Sequence, residues 1–294
     1  MAEFATLSEV LNRLSGGNSG TPETLFYNKN VDRRSGGTTF AGTAGKTFSA
    51  WMSDGGTPGS GAAPGAVAVP TKATAGAIPF NNASGGREKR LLAAVFANGG
   101  SSILTNESFG DVILYDRLLH QSNLSGTTTG AQNVQSGSGV VLTRHTAGAG
   151  NEIWIEIYGT AVGATPQTVT CSYTNQAGTS GRTTIAIPIG GSASKALLSI
   201  GEVARLPLQA GDTGVRSVET LTLSGSTGTA GAFGVTIANR IAEIPMQQSA
   251  SLYDFTYGDS GTYAIEDNAC LAAMFRPTSG TLVMLTGMLA TAER

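Results

Sequence analysis

The tetrapeptide GDSG at residues 258–261 contains a serine of the kind that a nearby histidine can activate as a nucleophile. The chain has two histidines, His120 and His145, and neither lies in the small-residue context that chymotrypsin-like proteases use. Those enzymes also continue with glycine and proline, whereas Thr262 and Tyr263 follow here. We therefore interpret the motif as a tight turn.

A second motif, AGTAGKT at residues 41–47, ends with the Gly-Lys-Thr of a phosphate-binding loop. Such a loop needs a further glycine five residues before Gly45, and Phe40 occupies that position. No strand pattern precedes the motif and no helix pattern follows it. The sequence therefore predicts an ordinary loop without a bound nucleotide.

Metal ligation has little support in the sequence. The two histidines are far apart along the chain, and neither has a cysteine beside it. Four acidic residues would form a calcium site only if two loops converged, and their spacing fits no standard calcium loop: Asp254, Asp259, Glu266 and Asp267. We expect no metal, no cofactor and no enzymatic activity.

The densest basic cluster is REKR at residues 87–90. The formal net charge of the chain is −2, whereas nucleic-acid binding normally requires a basic surface. Arg87, Lys89 and Arg90 therefore predict either a solvated strand end or a contact with an acidic neighbouring subunit. We expect no direct contact with nucleic acid.

Targeting signals are not evident in the sequence. No apolar run approaches the roughly 20 residues of a membrane span, and residues 1–10 lack the basic start and apolar core of a signal peptide. We expect assembly in the cytoplasm and no membrane contact. In that compartment Cys171 and Cys270 are expected to be free, buried thiols on strands.

The composition favours a protein that is covered by other subunits. Charged residues make up 13% of the chain, about half of the roughly 25% that is usual for soluble domains. Glycine supplies 41 of 294 residues without a three-residue period, which excludes collagen. Because isolated soluble proteins stay apart from one another by carrying surface charge, we expect an assembly, with a homo-oligomer as part of it.

Residues 1–86 predict an extended N-terminal arm with one short helix. The spacing of Thr6 and Glu9 is that of a capping box, and an apolar stripe follows from Leu7 to Leu14. From residue 18 onward regular patterns nearly vanish, and the stretch at 54–70 is built almost entirely from Gly, Pro, Ala and Val. Such a stretch would be mobile alone, so we expect neighbouring subunits to order it.

Residues 87–294 predict a β domain. In the run at 152–158 three isoleucines alternate with Glu, Trp and Tyr, and the run at 167–174 alternates in the same way, which is typical of half-buried strands. About ten such segments follow one another at short spacing. The fold class is therefore mainly β, a β-sandwich or jelly-roll-like domain, with two β subdomains as an open alternative.

Three stretches resemble structural proteins of tailed-bacteriophage virions, and the resemblance covers roughly residues 90 to 250. They lie at residues 112–132, 169–184 and 205–245, the last beginning RLPLQAGDTGVRSVETLTLSG. The resemblance implies a virion component that is associated with the head or the tail. It implies no reaction and no cofactor.

The most concrete hypothesis is a capsid decoration, or cement, protein that binds across junctions between major capsid proteins and stabilises the head. Alternatives are a tail, baseplate or head–tail connector component, or a receptor- or glycan-binding module that uses Trp154 and Tyr158. Aromatic anchors and basic residues are the candidate partner-binding set: Phe26, Tyr27, Phe40, Phe48, Trp51, Phe80, Arg87, Lys89 and Arg90.

Overall fold

A computed structural model describes residues 23–34, 45–98, 110–191, 196–246, 263–277 and 284–293. In these residues the fold is all β, and no helix is long and apolar enough to cross a membrane. The strands are β1 Glu23–Arg34, β2 Thr47–Ser49, β3 Ser53–Thr57, β4 Lys89–Asn98, β5 Gly110–Leu124, β6 Gln132–Asn133, β7 Asn151–Thr160, β8 Gln167–Asn175, β9 Arg182–Thr183, β10 Ile187–Ile189, β11 Glu202–Leu206, β12 Val215–Leu223, β13 Ala232–Met246, β14 Tyr263–Ile265, β15 Leu271–Pro277 and β16 Met284–Glu293.

A closed barrel forms the centre of the fold, with the strand order β11-β2-β15-β5-β13-β7. The long strands β5 and β13 pair antiparallel along most of their length, and β13 also pairs with β7. Because side chains alternate between the two faces of a strand, each barrel strand sends one set of residues into the interior and the other outward.

The first sheet has the order β14-β4-β16-β1-β3 and covers one wall of the barrel. Its inward side chains, among them Leu25, Tyr27 and Phe96, share a buried cluster with outward residues of the barrel such as Leu114 and Phe275. Burial of this apolar area, at about 25 cal/mol per Å², holds the sheet against the barrel.

The second sheet has the order β10-β8-β12-β6, with β9 beside β8, and it covers another wall. Val169, Cys171 and Tyr173 of β8 are buried in one cluster with Ile155 of β7 and Val235 of β13. The two cysteines are free and buried, as expected, but only Cys171 lies on a strand, because Cys270 comes one residue before β15. The barrel is therefore held between two sheets, each with its own apolar core.

The mainly β fold class is confirmed, and most strands expected from alternation in residues 87–294 are present. The sandwich or jelly-roll arrangement is not confirmed, because six strands close into a barrel. The irregular arm is wrong for the segment at 23–34, which is a regular strand. It forms β1 and pairs with β16 from Glu23 to Asn30. The helix expected within residues 6–14 lies outside the described residues.

The stretch at residues 54–70 is ordered by its own chain, not by neighbouring subunits. Backbone hydrogen bonds join Ala68 to His120 in both directions at 3.0 Å, and the Gly65 N–H donates to Ser122 Oγ at 2.9 Å. The Trp51 indole donates to the Ala62 carbonyl at 2.9 Å. The expectation failed because small residues, which bury little area themselves, allow a close approach to β5 and to this tryptophan.

Candidate assembly surface

Charged side chains lie inside the barrel. Ile153, Ile155 and Ile157 of β7 pack outward toward the second sheet, so the alternate residues of that strand, Glu156 among them, point inward. On β5, Arg117 follows Tyr115 in the same inward row. Arg117 is 0% exposed and Glu156 is 1% exposed.

Arg117 is the centre of this buried group. Its Nη2 donates to Glu156 Oε2 at 2.8 Å and also to the Tyr158 hydroxyl. Its Nη1 donates to the Tyr115 hydroxyl and its Nε to His120 Nδ1, both at 3.0 Å. Every nitrogen of the guanidinium is therefore used, which is the condition for a buried ion pair to be tolerated.

The surroundings of Arg117 fix the protonation of the group. Burial by itself lowers the pKa of Arg117, but the Glu156 carboxylate raises it well above its ordinary value, so the guanidinium stays charged. Burial, together with the charge of Arg117, lowers the pKa of His120 to about 2. Burial raises the pKa of Tyr158 well above its ordinary value. The group is therefore one cation, one anion and neutral hydrogen-bonding partners.

A second buried ion pair links the barrel to the stretch at 54–70. Arg144 donates from Nε and Nη2 to the two oxygens of Asp116, at 2.8 and 2.9 Å, and from Nη2 to the Pro70 carbonyl at 2.9 Å. Asp116 Oδ1 also accepts from the backbone N–H of Cys270 at 2.7 Å. These contacts tie β5, β15 and the Gly/Pro-rich stretch into one unit.

The glycan-binding hypothesis assigned to Trp154 and Tyr158 is wrong. Trp154 is 5% exposed and Tyr158 is 0% exposed, because both belong to the inward row of β7 rather than to an outer face. Neither ring can stack on a sugar. Their role is to fill the barrel around Arg117.

The other motifs are used within the fold or lie outside the described residues. Lys46 donates to Glu202 Oε1 at 2.8 Å and so joins the residues before β2 to β11. His145 Nδ1 lies 3.5 Å from Glu266 Oε1, and Asp267 Oδ1 accepts from Ala83 N at 3.0 Å. Among the described residues no group of three potential ligands could hold a metal ion. Outside them lie GDSG at 258–261, Asp254 and Asp259.

The candidate partner-binding residues divide into a buried and an accessible group. Four aromatic residues are buried within this chain: Tyr27, Phe48, Trp51 and Phe80. Lys89 is buried against Glu23, at 2.8 Å. Arg87 and Arg90 are partly exposed and lie near Glu293 and Glu88 respectively. Phe26 is 63% exposed, and Phe40 lies outside the described residues.

Phe26 belongs to an uncharged outer face of the first sheet. The strand registers place Phe26 beside Met288 and Met288 beside Val95, in one row across three strands. The rows on either side complete a surface of nine residues without a charge: Thr24, Ala290 and Ala93 in one row, and Asn28, Thr286 and Ala97 in the other. We call these nine residues the apolar face. All of them are exposed or partly exposed.

The outer face of the second sheet has different chemistry. Thr168, Thr170 and Ser172 of β8 alternate with buried residues and therefore point away from the barrel. Nearby on β12, Glu219 accepts hydrogen bonds from Thr174 and Ser217 at 3.2 and 2.5 Å. The first outer face is therefore uncharged and mostly apolar, with three polar residues among its nine, and the second is rich in hydroxyl groups, so the first is the candidate for a protein–protein contact.

A pocket of about 380 Å³ lies at the edge of the apolar face. Leu25, Phe26, Pro79 and Phe80 supply its apolar lining, and Phe26 is 63% exposed. The Glu23 carboxylate, which also lines the pocket, accepts from Lys89 Nζ at 2.8 Å and from Asn81 N at 3.1 Å. Its charge is therefore neutralised locally, and the pocket can receive an apolar side chain.

Comparison with known proteins does not assign the chain to a family. No protein-family model and no curated protein matches it. Among solved structures it is similar to the VP2 subviral particle of infectious bursal disease virus, at 12% identity and a TM-score of 0.17, covering 93% of this chain and 80% of that chain. It is also similar to the T13 particle of that virus, at 11% identity and a TM-score of 0.17, covering 93% and 77%. Scores this low do not establish a common fold.

Proposed function

We propose that the chain is a structural component of a bacteriophage virion, and within that class a capsid decoration protein that binds across junctions between major capsid proteins. The observation that carries the proposal is the apolar face, an exposed and uncharged sheet surface with Phe26 at its centre. A face of this kind supports a protein–protein contact, because burying it removes apolar area from water without desolvating a charge.

Two further features support the same proposal. The chain is poor in charge, at 13% of its residues, as expected for a protein that is largely covered by neighbours. The described residues also form a closed barrel supported by two sheets with separate cores, a construction that suits a load-bearing shell component. The sequence resemblance over residues 90–250 supplies the phage context.

Labelling of purified virions tests the location. An antibody against the chain, together with the copy number from quantitative mass spectrometry, should show hundreds of copies on the head. A few to a dozen copies at the tail would establish the tail or connector alternative in place of decoration. Virions that lack the chain altogether would overturn the proposal.

A pair of variants tests the face. Phe26→Asp places a charge at the centre of the apolar face, and we expect incorporation into heads to fall by about tenfold or more because the carboxylate must be desolvated on binding. Thr168→Asp is the matched control, since it places the same charge on an exposed strand position of the second sheet. Equal incorporation of both variants would show that the apolar face is not needed for assembly onto the head.

A further inference from the structure

We infer that the partner at the apolar face is a second copy of this chain, with the Phe26 side chain of each copy seated in the pocket of the other. The inference deepens the proposed function and rests on it, because it names one of the neighbours in the assembly. The residues that carry it are Phe26, Leu25, Pro79 and Phe80.

Self-complementarity is the first argument. Phe26 is 63% exposed and belongs, with Leu25, Pro79 and Phe80, to the lining of the pocket. When a projecting side chain and a matching pocket adjoin on one surface, a two-fold rotation between them places each projection in the partner's pocket. At about 380 Å³ the pocket exceeds the roughly 300 Å³ at which cavities begin to hold small molecules, so it has room for one phenyl group.

Charge is the second argument. A two-fold axis brings each residue near its own copy, so a charged face would bring like charges together. None of the nine residues of the apolar face is charged. Glu23, the charged residue that lines the pocket, forms a close ion pair with Lys89 within one copy. Two copies can therefore approach without repulsion at the axis.

Area sets the strength of the contact. Three strands about 4.8 Å apart and five residues along each give a face of roughly 250–300 Å² with its side-chain margins. A stable dimer usually buries about 800 Å² on each partner. We therefore expect a weak dimer in solution, with a dissociation constant in the micromolar range or above, that becomes stable through repeated contacts within an assembly.

Sedimentation velocity on the full chain, from about 1 µM to about 1 mM, tests the dimer. The wild-type chain should show a concentration-dependent monomer–dimer equilibrium. Phe26→Asp should raise the dissociation constant by about 100-fold, because two central aromatic anchors are lost in each dimer. Thr168→Asp, which carries the same charge on the second sheet, should change it by less than about threefold. Circular dichroism confirms that each variant is folded.

A second variant tests the reciprocal geometry. Thr57 is an exposed residue of edge strand β3 that lines the pocket, so Thr57→Trp fills the pocket and leaves Phe26 intact. Each variant alone should be monomeric. A mixture of Phe26→Asp and Thr57→Trp should form a heterodimer, because an intact pocket on one copy then meets an intact Phe26 on the other.

A dimer that persists in Phe26→Asp, a wild-type chain that stays monomeric throughout, or a mixture that forms no heterodimer would overturn the inference. These outcomes are independent of virion labelling. A monomeric chain that is still found on heads removes only the two-fold contact. A Phe26-dependent dimer that is absent from virions removes the proposed function instead.

Discussion

The ion pair inside the barrel provides the sharpest test of how this fold is held together. Glu156→Gln keeps the size and shape of the side chain but removes the negative charge. Arg117 then stays charged and fully buried, at 0% exposure, but it loses the carboxylate that lies 2.8 Å away in the wild-type chain. An uncompensated buried charge of this kind costs about 3–5 kcal/mol of unfolding free energy. At about 2–4 °C for each kcal/mol, the melting temperature should fall by roughly 6–20 °C.

Removing both partners should cost less than the two single changes together. Arg117→Met leaves Glu156 buried without its cation, whereas the double variant with Glu156→Gln leaves no buried charge. We expect a coupling free energy of about 2 kcal/mol or more in the double-mutant cycle. The matched control is Arg205→Met, which breaks an ion pair to Glu152 on the same strand β7. Arg205 is 54% exposed, so this change should cost no more than about 1 kcal/mol.

Equilibrium unfolding in urea, followed by tryptophan fluorescence, measures these free energies of unfolding with a probe that lies inside the barrel. Both tryptophans, Trp51 and Trp154, belong to the buried cluster inside the barrel, and the Trp51 ring lies 4.6 Å from the guanidinium carbon of Arg117. Single variants that lose less than about 1 kcal/mol, or losses that simply add, would refute the reasoning, because the barrel interior would then solvate the charges as water does.

Two further predictions concern close packing and pH. Gly61→Ala should destabilise the fold by about 1–3 kcal/mol, because a Cβ there would lie 2.5 Å from Trp51 Cε2. Gly59→Ala in the same stretch is the control and should be neutral, because a Cβ there meets nothing within 4 Å. Equal melting temperatures of the two variants would contradict this packing. The fold lowers the pKa of His120 to about 2. Below the unfolded pKa of about 6.5 the unfolded chain therefore binds a proton that the folded chain does not. As the pH decreases, this residue lowers the free energy of unfolding by up to about 1.4 kcal/mol per pH unit. His120→Asn, whose side-chain oxygen can still accept from Arg117, should reduce the slope of melting temperature against pH between about pH 6 and pH 4; an unchanged slope would show that His120 is protonated in the folded state.

Alternation in the sequence predicts the strands whose two faces differ in polarity. In β8, Val169, Cys171 and Tyr173 are buried and the intervening threonines and serine are not. Strand β1 was not predicted, because its buried face contains a charged residue and its exposed face contains an aromatic one. Its buried row contains Lys29, which is 1% exposed and donates to backbone carbonyls at 3.0 and 3.1 Å. Its outer row contains Phe26. A charged residue inside and an aromatic residue outside cancel the amphipathic pattern.

The barrel interior could not be predicted from the sequence for a different reason. Arg117 and Glu156 are 39 positions apart, and neither has a local motif that identifies its partner. Within the strand pattern a buried arginine looks like a polar interruption. The pairing becomes visible only when the closed barrel brings the inward rows of β5 and β7 together.

The candidate surface was predicted in part. Aromatic anchors predict partner contacts at both Phe26 and Tyr27. The exposure of Phe26 keeps that prediction open, whereas Tyr27 lies on the inner face at 3% exposure. Adjacent residues of a strand face opposite sides, but this rule helps only once a strand is recognised. The apolar face itself needs the registers of three strands that are distant in the sequence.

The pairing of β1 with β16 has a consequence for synthesis of the protein. Thr291 Oγ1 donates to the Glu23 carbonyl across 268 positions of the chain. At about 5–20 residues per second, a ribosome that has made β1 needs roughly 15–50 s more to complete its partner strand. The first sheet therefore closes only after nearly all of this sequence has emerged. Until then the apolar side chains of β1 and β4 have no complete sheet to enter, and exposed apolar surface of this kind is prone to aggregation.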